Sequence, residues 1–118
     1  MLKISIITAV YNRVGTVAQA LDSVASQSWP AVEHVVIDGG STDGTLAVLE
    51  AHRDRLAVLV SEPDRGIYDA LNKGVARATG DVIGLLHSDD YFADETVLSQ
   101  VAAALADSGV DAVYGDLD

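Results

Sequence analysis

The stretch HVVIDGGSTDGTLAVL, residues 34–49, decides the fold predicted for this chain. It begins with apolar, largely β-branched residues, continues through a polar turn rich in glycine, and ends in apolar residues with helical spacing. This order predicts a buried β-strand, a turn and an α-helix. We interpret residues 41–44, STDG, as the start of the helix, because Ser, Thr and Asp side chains accept hydrogen bonds from the free N–H groups of a first helical turn.

The same alternation of apolar run and helical pattern extends along the whole chain. Apolar residues recur at helical spacing from Val14, Leu46, Ile67 and Val97 onward. The strands predicted from apolar runs are Leu2–Ala9, His34–Ile37, Leu56–Val60, Val82–Leu86 and Ala112–Tyr114. Nearly continuous apolar strands separated by helices are typical of a parallel sheet with helices on both faces. We therefore predict an α/β fold in which residues 1–118 belong to one domain.

Composition and charge exclude several classes of protein. The 118 residues include no cysteine, which excludes a disulfide framework, a cysteine-ligated zinc site and thiol catalysis. The net charge of −11 repels nucleic-acid backbones and anionic membranes, so an anionic ligand would need a cation between itself and the protein. No apolar run approaches the roughly 20 residues of a transmembrane helix, and the N-terminus has the pattern of a strand rather than a signal peptide.

Polar residues follow each of the first four predicted strands. Tyr11 follows the first strand, Asp38 the second, Arg65 the third, and the pair Asp89 and Asp90 the fourth. In open parallel α/β sheets, ligands bind beyond the carboxyl ends of the strands, so we expect the functional site at this edge. The three histidines lack the spacing of a metal-binding set, and the sequence contains no dinucleotide-binding, P-loop or hydrolase motif.

Three carboxylates at this edge have two interpretations each. Asp89 and Asp90 provide the hard oxygen ligands that suit Mg²⁺ or Mn²⁺, or they are an acid pair at the start of the next helix. Asp38 accepts a hydrogen bond from a ligand, or it only holds its own turn together. The residue types alone leave both alternatives open.

Aromatic and basic side chains at the same edge suit other parts of a ligand. Tyr11 could stack on a nucleobase, and Arg13 or Arg65 could pair with a phosphate. Trp29 and Tyr68 are interpreted as packing residues rather than as part of a site.

Four segments together resemble the family 2 glycosyltransferases, which have the Rossmann-like GT-A fold of nucleotide-diphospho-sugar transferases. The segments are in the family's order and cover nearly the whole chain. They are residues 5–12 (SIITAVYN), 36–44 (VIDGGSTDG), 62–74 (EPDRGIYDALNKG) and 78–90 (ATGDVIGLLHSDD).

The resemblance implies a binding site for a nucleotide-diphosphate sugar. It implies that the first loop surrounds the base, that Asp38 accepts a hydrogen bond from the base, and that Asp89 lies near the ribose and the sugar. Asp90 is the implied ligand of Mn²⁺ or Mg²⁺ on the diphosphate. The implied donor-binding residues are Thr8, Ala9, Tyr11, Asn12, Asp38, Arg65, Asp69, Lys73, Ser88 and Asp89.

The sequence departs from the family pattern at two positions. Many members have an acid where this chain has Gly39, and an Asp or Asn where it has His87. Family members also continue to about twice this length, so we expect the chain to be truncated before the acceptor-binding half. We expect the general base beyond residue 118, and nominate neither Asp116 nor Asp118 for it.

The resemblance implies a metal-dependent inverting glycosyltransferase. We expect a UDP-sugar as the donor and a saccharide or lipid-linked acceptor, in polysaccharide or glycoconjugate synthesis. We expect a cytoplasmic enzyme, in solution or at the inner face of the membrane, with no nucleic-acid partner. The sequence leaves the sugar, the acceptor and the oligomeric state open.

Two alternative functions differ in class. The chain could bind nucleotide without turnover, which activity with a defined acceptor would exclude. A receiver-type signalling domain would need an acid pair after the first strand and a lysine after the fifth. Val10–Asn12 and Gly115-Asp116 occupy those places, which disfavours a receiver.

Overall fold

The computed structural model describes residues 2–108, with the backbone alone for residues 106–108. The strands are β1 (Ile4–Val10), β2 (Val32–Asp38), β3 (Val58–Ser61) and β4 (Val82–Leu85). The helices are α1 (Val17–Ala25), α2 (Thr45–Ala51), α3 (Ile67–Arg77) and α4 (Val97–Ser108), and a 3₁₀ turn covers Arg53–Arg55. The strand predicted at Ala112–Tyr114 lies outside the described residues.

The four strands form a parallel sheet in the order β3-β2-β1-β4. Val10 at the end of β1 pairs with Asp38, which in turn pairs with Ser61 at the end of β3. β4 pairs only with the first four residues of β1, from Ile4 to Ile7. The carboxyl ends of all four strands therefore meet at one edge, as predicted from the sequence.

Helices cover both faces of the sheet. On one face, Ile4 and Ile6 pack against Ala20 of α1 and Leu98 of α4, and Val36 belongs to a neighbouring cluster with residues of α1 and α2. On the other face, α3 packs against β1 and β2. The burial of β1 and of the last five residues of β2 explains why these two central strands are largely apolar, since their side chains alternate between two covered faces.

Gly74 brings α3 close to the sheet. A Cβ atom at this position would collide with the side chain of Ile7 in β1. The absence of a side chain therefore sets the distance between α3 and β1.

None of the helices within residues 2–108 has the length and apolar character needed to cross a membrane.

Some boundaries differ from the predicted ones. α1 begins at Val17 rather than near Val14, because residues 11–16 form a loop and the side chain of Val14 is 45% exposed. Trp29 packs against the core and donates a hydrogen bond to the carbonyl of Leu2 at 2.8 Å, so its packing role is confirmed. Tyr68 is 81% exposed and does not pack in the core.

A half-buried glutamate joins the amino-terminal edge of the sheet to the α3–β4 connection. Glu33 Oε1 accepts hydrogen bonds from the hydroxyl of Ser5 and the N–H of Thr79, both at 2.6 Å. Lys3 Nζ lies 3.4 Å from Glu33 Oε2. Burial acts to raise the pKa of Glu33, but the hydrogen bonds from Ser5 and Thr79, together with the charge of Lys3, lower it below its ordinary value.

We predict that Glu33→Gln lowers the free energy of unfolding by about 1–3 kcal/mol at pH 7, because the amide loses charged hydrogen bonds. The lowered pKa means that the folded state favours ionised Glu33. The stabilisation that ionised Glu33 provides is therefore fully present above the ordinary pKa of 4.5, and it is lost as the pH falls through the lower pKa of the folded state. Urea unfolding at pH 7 and at pH 3.5 measures both effects.

The matched control is Glu50→Gln. Glu50 forms an exposed pair with Arg53 at 3.0 Å, and such pairs contribute about 0–1 kcal/mol. Equal stabilities of the Glu33 and Glu50 variants at pH 7 would contradict the structural role of Glu33.

Candidate functional site at the carboxyl edge of the sheet

A cavity of about 1110 Å³ lies at the carboxyl edge of the sheet. The loop after every strand contributes to its wall, through residues 9–13, 39–40, 63–64, 66–67 and 87–89. Its volume slightly exceeds the roughly 300–1,000 Å³ that is usual for small-molecule sites. The cavity therefore has the position and the size expected of a ligand site in an open α/β sheet.

Two glycines let the backbone form part of the wall. Gly40 has a φ of +89°, which residues with a side chain rarely adopt. A Cβ atom at Gly39 would lie 2.6 Å from Oδ2 of Asp64. The carboxylate of Asp64 therefore occupies the space that a side chain at position 39 would need.

Asn12 joins the loop after β1 to the loop after β2. Its φ is 52°, its N–H donates to Ser41 Oγ at 2.9 Å, and its Oδ1 accepts the N–H of Thr42 at 2.8 Å. The N–H of Arg13 also donates to Thr45 Oγ1 at 2.9 Å. Asn12 lines the cavity as predicted, but its amide oxygen already has a partner in the neighbouring loop.

Asp38 is completely buried and does not face the cavity. Its Oδ2 accepts the N–H groups of Gly40 at 3.2 Å and Ser41 at 3.0 Å, and the hydroxyl of Ser61 at 2.9 Å. Its Oδ1 accepts the hydroxyl of Ser41. In contrast to the placement expected from the resemblance, the structure shows Asp38 holding its own turn together. A contact with a base would require these hydrogen bonds to break.

Thr8 is also buried and does not line the cavity. Its Oγ1 lies 2.8 Å from Nε2 of His34, which is inside the sheet layer. Burial lowers the pKa of His34 to about 3, so the imidazole is neutral at pH 7. The structure thus places Thr8 in a neutral buried pair rather than beside a ligand, while the next residue, Ala9, does line the cavity.

Asp69 and Lys73 hold the loop before α3 and do not line the cavity. Asp69 Oδ2 accepts the N–H of Arg65 at 3.0 Å, and this hydrogen bond lowers the pKa of Asp69. Lys73 Nζ lies 3.0 Å from Glu62 Oε1 and donates to the carbonyl of Pro63 at 3.4 Å. The hydrogen bond with Glu62 raises the pKa of Lys73. Arg65 is exposed beside the cavity but is not part of its wall.

The loop after β4 brings Ser88 and Asp89 into the cavity. The hydroxyl of Thr16 donates to the carbonyl of Ser88 at 3.0 Å, and the N–H of Asp90 donates to the carbonyl of His87 at 3.1 Å. α4 begins only at Val97, so the acid pair does not start a helix. That alternative for Asp89 and Asp90 is wrong.

Five of the predicted donor-binding residues line the cavity and the other five do not. Those in the wall are Ala9, Tyr11, Asn12, Ser88 and Asp89. The wall also includes Arg13, which the sequence suggested as a partner for a phosphate, and Asp64 and His87, which were absent from the predicted set. Asp64 belongs to segment 62–74, and its position in the loop after a strand was the signal that could have identified it.

The carboxylates in the loop after β4 suit a hard divalent cation. Asp89 and Asp90 offer carboxylate oxygens, and Mg²⁺ or Mn²⁺ takes one or two such ligands when substrate phosphates and water complete its shell. Within residues 2–108, no three His, Cys, Asp or Glu side chains come together as a complete metal cage. The arrangement therefore fits a cation that binds together with a phosphorylated ligand.

An open parallel sheet with a cavity at its carboxyl edge is the architecture of the doubly wound α/β proteins, and sequence comparison identifies the family. Residues 5–118 match glycosyl transferase family 2, so the chain belongs to that family. An uncharacterised glycosyltransferase of Mycobacterium tuberculosis is 40% identical over 107 residues, which are 90% of this chain and 41% of that protein. The chain thus spans less than half the length of this relative.

Solved structures show that the fold is GT-A. The structure of TarS residues 1–349 from S. aureus in complex with UDP-GlcNAc superposes with a TM-score of 0.83 at 31% identity, covering 92% of this chain and 32% of that chain. The mannosyltransferase PcManGT from Pyrobaculum calidifontis, in complex with GDP-Man and Mn²⁺, also has a TM-score of 0.83 at 31% identity, covering 92% of this chain and 34% of that one. The predicted fold class is confirmed.

We predict that Asp69→Ala accelerates amide hydrogen exchange at Arg65, because the variant removes the carboxylate that accepts this N–H. Exchange within the sheet should not change. Two-dimensional NMR at several exchange times measures both. Asp54→Ala, a change in the exposed 3₁₀ turn, is the control, and unaltered exchange at Arg65 in the Asp69 variant would contradict the assigned contact.

Proposed function

We propose that this chain is the donor-binding part of a metal-dependent inverting glycosyltransferase. The donor is a nucleotide-diphosphate sugar, with UDP as the proposed nucleotide, and the acceptor is a saccharide or lipid-linked group in polysaccharide or glycoconjugate synthesis. The observation that carries the proposal is the cavity at the carboxyl edge, whose wall is formed by loops from four parallel strands and includes Asp89.

The order of the strands in the sheet supports one orientation of the nucleotide-sugar donor along this edge. The loops follow one another as β3, β2, β1 and β4, so the acid pair is at one end of the cavity and residues 39–40 and 63–64 are at the other. With about 4.8 Å between strands, the edge is roughly 14 Å wide. A diphosphate at the acid pair would leave the other end for the nucleobase.

The charge of the protein explains why the proposal includes a cation. Carboxylates repel a diphosphate, and the net charge of −11 adds to that repulsion. Asp90 and Asp89 would hold Mn²⁺ or Mg²⁺, and the bound ion would stabilise the negative charge that develops on the leaving diphosphate. A thermal-shift titration with each metal in turn compares Mn²⁺ with Mg²⁺ as the bound ion.

Other residues of the wall bind and orient the donor in this proposal. Tyr11, with 57% of its surface exposed, offers a ring face for stacking on the base. The guanidinium of Arg13 pairs with a phosphate oxygen. Ser88 is held by the hydrogen bond from Thr16 and orients the acid pair that follows it.

The relatives support the same donor class. TarS was solved in complex with UDP-GlcNAc, and PcManGT was solved in complex with GDP-Man and Mn²⁺. Deprotonation of the acceptor hydroxyl requires a general base, which we propose to lie beyond residue 118. A lipid-linked acceptor would bring the cytoplasmic enzyme to the inner face of the membrane.

A thermal-shift titration with UDP, GDP and dTDP, each with and without Mn²⁺ or Mg²⁺, tests the donor site. A ligand at 100 times its Kd adds about 2.7 kcal/mol, which raises the Tm by roughly 10 °C for a domain of this size. We expect the largest shift with UDP and a metal together. No shift with any nucleotide would contradict the proposal, and turnover with a defined acceptor would exclude binding without catalysis.

We predict that Asp90→Asn abolishes the metal-dependent part of this shift, because a neutral amide is a poor ligand for a hard cation. The Tm without ligand should remain close to that of the wild type, since Asp90 is at the surface of a loop. Asp54→Asn, in the exposed 3₁₀ turn, makes the same chemical change away from the cavity and should leave the shift unchanged. An unchanged metal-dependent shift in the Asp90 variant would remove Asp90 as the metal ligand.

A further inference from the structure

We propose that a second, smaller cavity, at the amino-terminal edge of the sheet, binds a short-chain carboxylate. The end of α1, the loop that follows it, the first part of β2 and the side chain of Arg55 form its wall. Its volume of about 320 Å³ is within the roughly 300–1,000 Å³ that is usual for small-molecule sites. The two cavities share no lining residue, so the inference does not depend on the proposed function.

The first argument is a ring nitrogen of His34 that has no partner in the protein. His34 is only 3% exposed, and it lines the smaller cavity. Its Nε2 lies 2.8 Å from Oγ1 of Thr8, whereas its Nδ1 has no hydrogen-bond partner within residues 2–108. In this part of the chain, every buried side-chain nitrogen or oxygen that is sealed from solvent has a partner. Nδ1 is therefore not sealed, and it faces the space of the smaller cavity.

The hydroxyl of Thr8 determines which kind of hydrogen bond this nitrogen can form. Thr8 is completely buried, and among the described residues its hydroxyl has a partner only in Nε2 of His34. The hydroxyl therefore donates to Nε2, because its hydrogen would otherwise have no acceptor. Since burial keeps the imidazole neutral at pH 7, its own hydrogen is then on Nδ1. His34 thus presents an N–H donor to the cavity, and a ligand must supply the acceptor.

The second argument is the guanidinium of Arg55. Its Nη1 donates to Oδ1 of Asp22 at 2.8 Å, which uses one of its five N–H groups. The pair is exposed, and exposed ion pairs are weak, so Arg55 can direct another N–H group to a ligand. The side-chain N–H groups of Gln27 and Trp29 already donate to backbone carbonyls. The groups available to a ligand are therefore a cationic donor and a neutral donor, which together favour a carboxylate.

The third argument is the apolar part of the wall, which suits a short alkyl chain. Val24 is buried in the core, and Trp29 and Val32 pack against the same cluster of residues. An alkyl group in contact with these side chains would lose its contact with water, which favours binding. The small volume favours a short chain over a nucleotide, so we take butyrate as the probe.

Tryptophan fluorescence of the full chain tests the inference directly. Trp29 is the only tryptophan in the sequence, so its emission reports occupation of the cavity that it lines. We expect sodium butyrate to change the emission to saturation with a Kd on the order of 1 mM, as suits a ligand of this size. Sodium chloride at equal concentrations should give no saturable change. Butyramide has the same alkyl chain without the charge, and it should bind roughly tenfold more weakly or worse.

Arg55→Met removes the cationic donor at an exposed position, where the fold should not change. We expect butyrate to bind this variant roughly tenfold more weakly or worse. Arg53→Met is the matched control, because Arg53 is in the same 3₁₀ turn, pairs with Glu50 and does not line the cavity. Its Kd for butyrate should equal that of the wild type. An unchanged Kd in the Arg55 variant, or equal Kd values for butyrate and butyramide, would overturn the carboxylate site.

Long-range ¹H–¹⁵N NMR of the wild type tests the role of His34 without a substitution in the core. We expect the ring hydrogen on Nδ1 and a change of that nitrogen's signal when butyrate is added. A ring hydrogen on Nε2, or an Nδ1 signal that butyrate leaves unchanged, would remove His34 from the site and overturn the inference. No saturable fluorescence change in the wild type would mean that the cavity holds water alone, and it would also overturn the inference. None of these outcomes bears on the donor site, which the nucleotide titrations test separately.

Discussion

The structure depends on the pairing of β1 with a parallel neighbour on each side. β2 pairs with all seven residues of β1, and β4 pairs with the first four. Both faces of β1 are covered by helices, and its residues from Ile4 to Thr8 are completely buried. Because parallel strands end at the same edge, this pairing brings four loops that are distant in sequence to one cavity.

Local hydrogen bonding determines which carboxylates at that edge can meet a ligand. Asp38 ends β2, Asp64 is in the loop after β3, and Asp69 is in the first turn of α3, and each accepts a backbone N–H group nearby. Asp38 is buried with both oxygens hydrogen-bonded, and Asp69 supports the loop of Arg65. Of the three, Asp64 lines the cavity, and the missing side chain at Gly39 leaves room for its carboxylate.

The opposite, amino-terminal edge of the sheet contains a hydrogen-bonded polar group. There, Glu33, Ser5 and Thr79 form a hydrogen-bonded group that joins β1, β2 and the start of β4. This group is at the opposite end of the strands from the larger cavity, and its polar atoms are paired with one another. The carboxyl edge has exposed aromatic and charged side chains such as Tyr11 and Arg13.

The sequence by itself determined the order of strands and helices along the chain, the parallel arrangement of the sheet and the edge where the larger cavity lies. These follow from apolar periodicity and from the rules of α/β connection. It also identified the four segments that form the wall. It did not determine which side chains face the cavity: Thr8 and Asp38 were expected there, and Asp64 was not. The tertiary structure determines which side chains face the cavity, because a side chain's direction depends on hydrogen-bond donors and on free space supplied by loops distant in sequence.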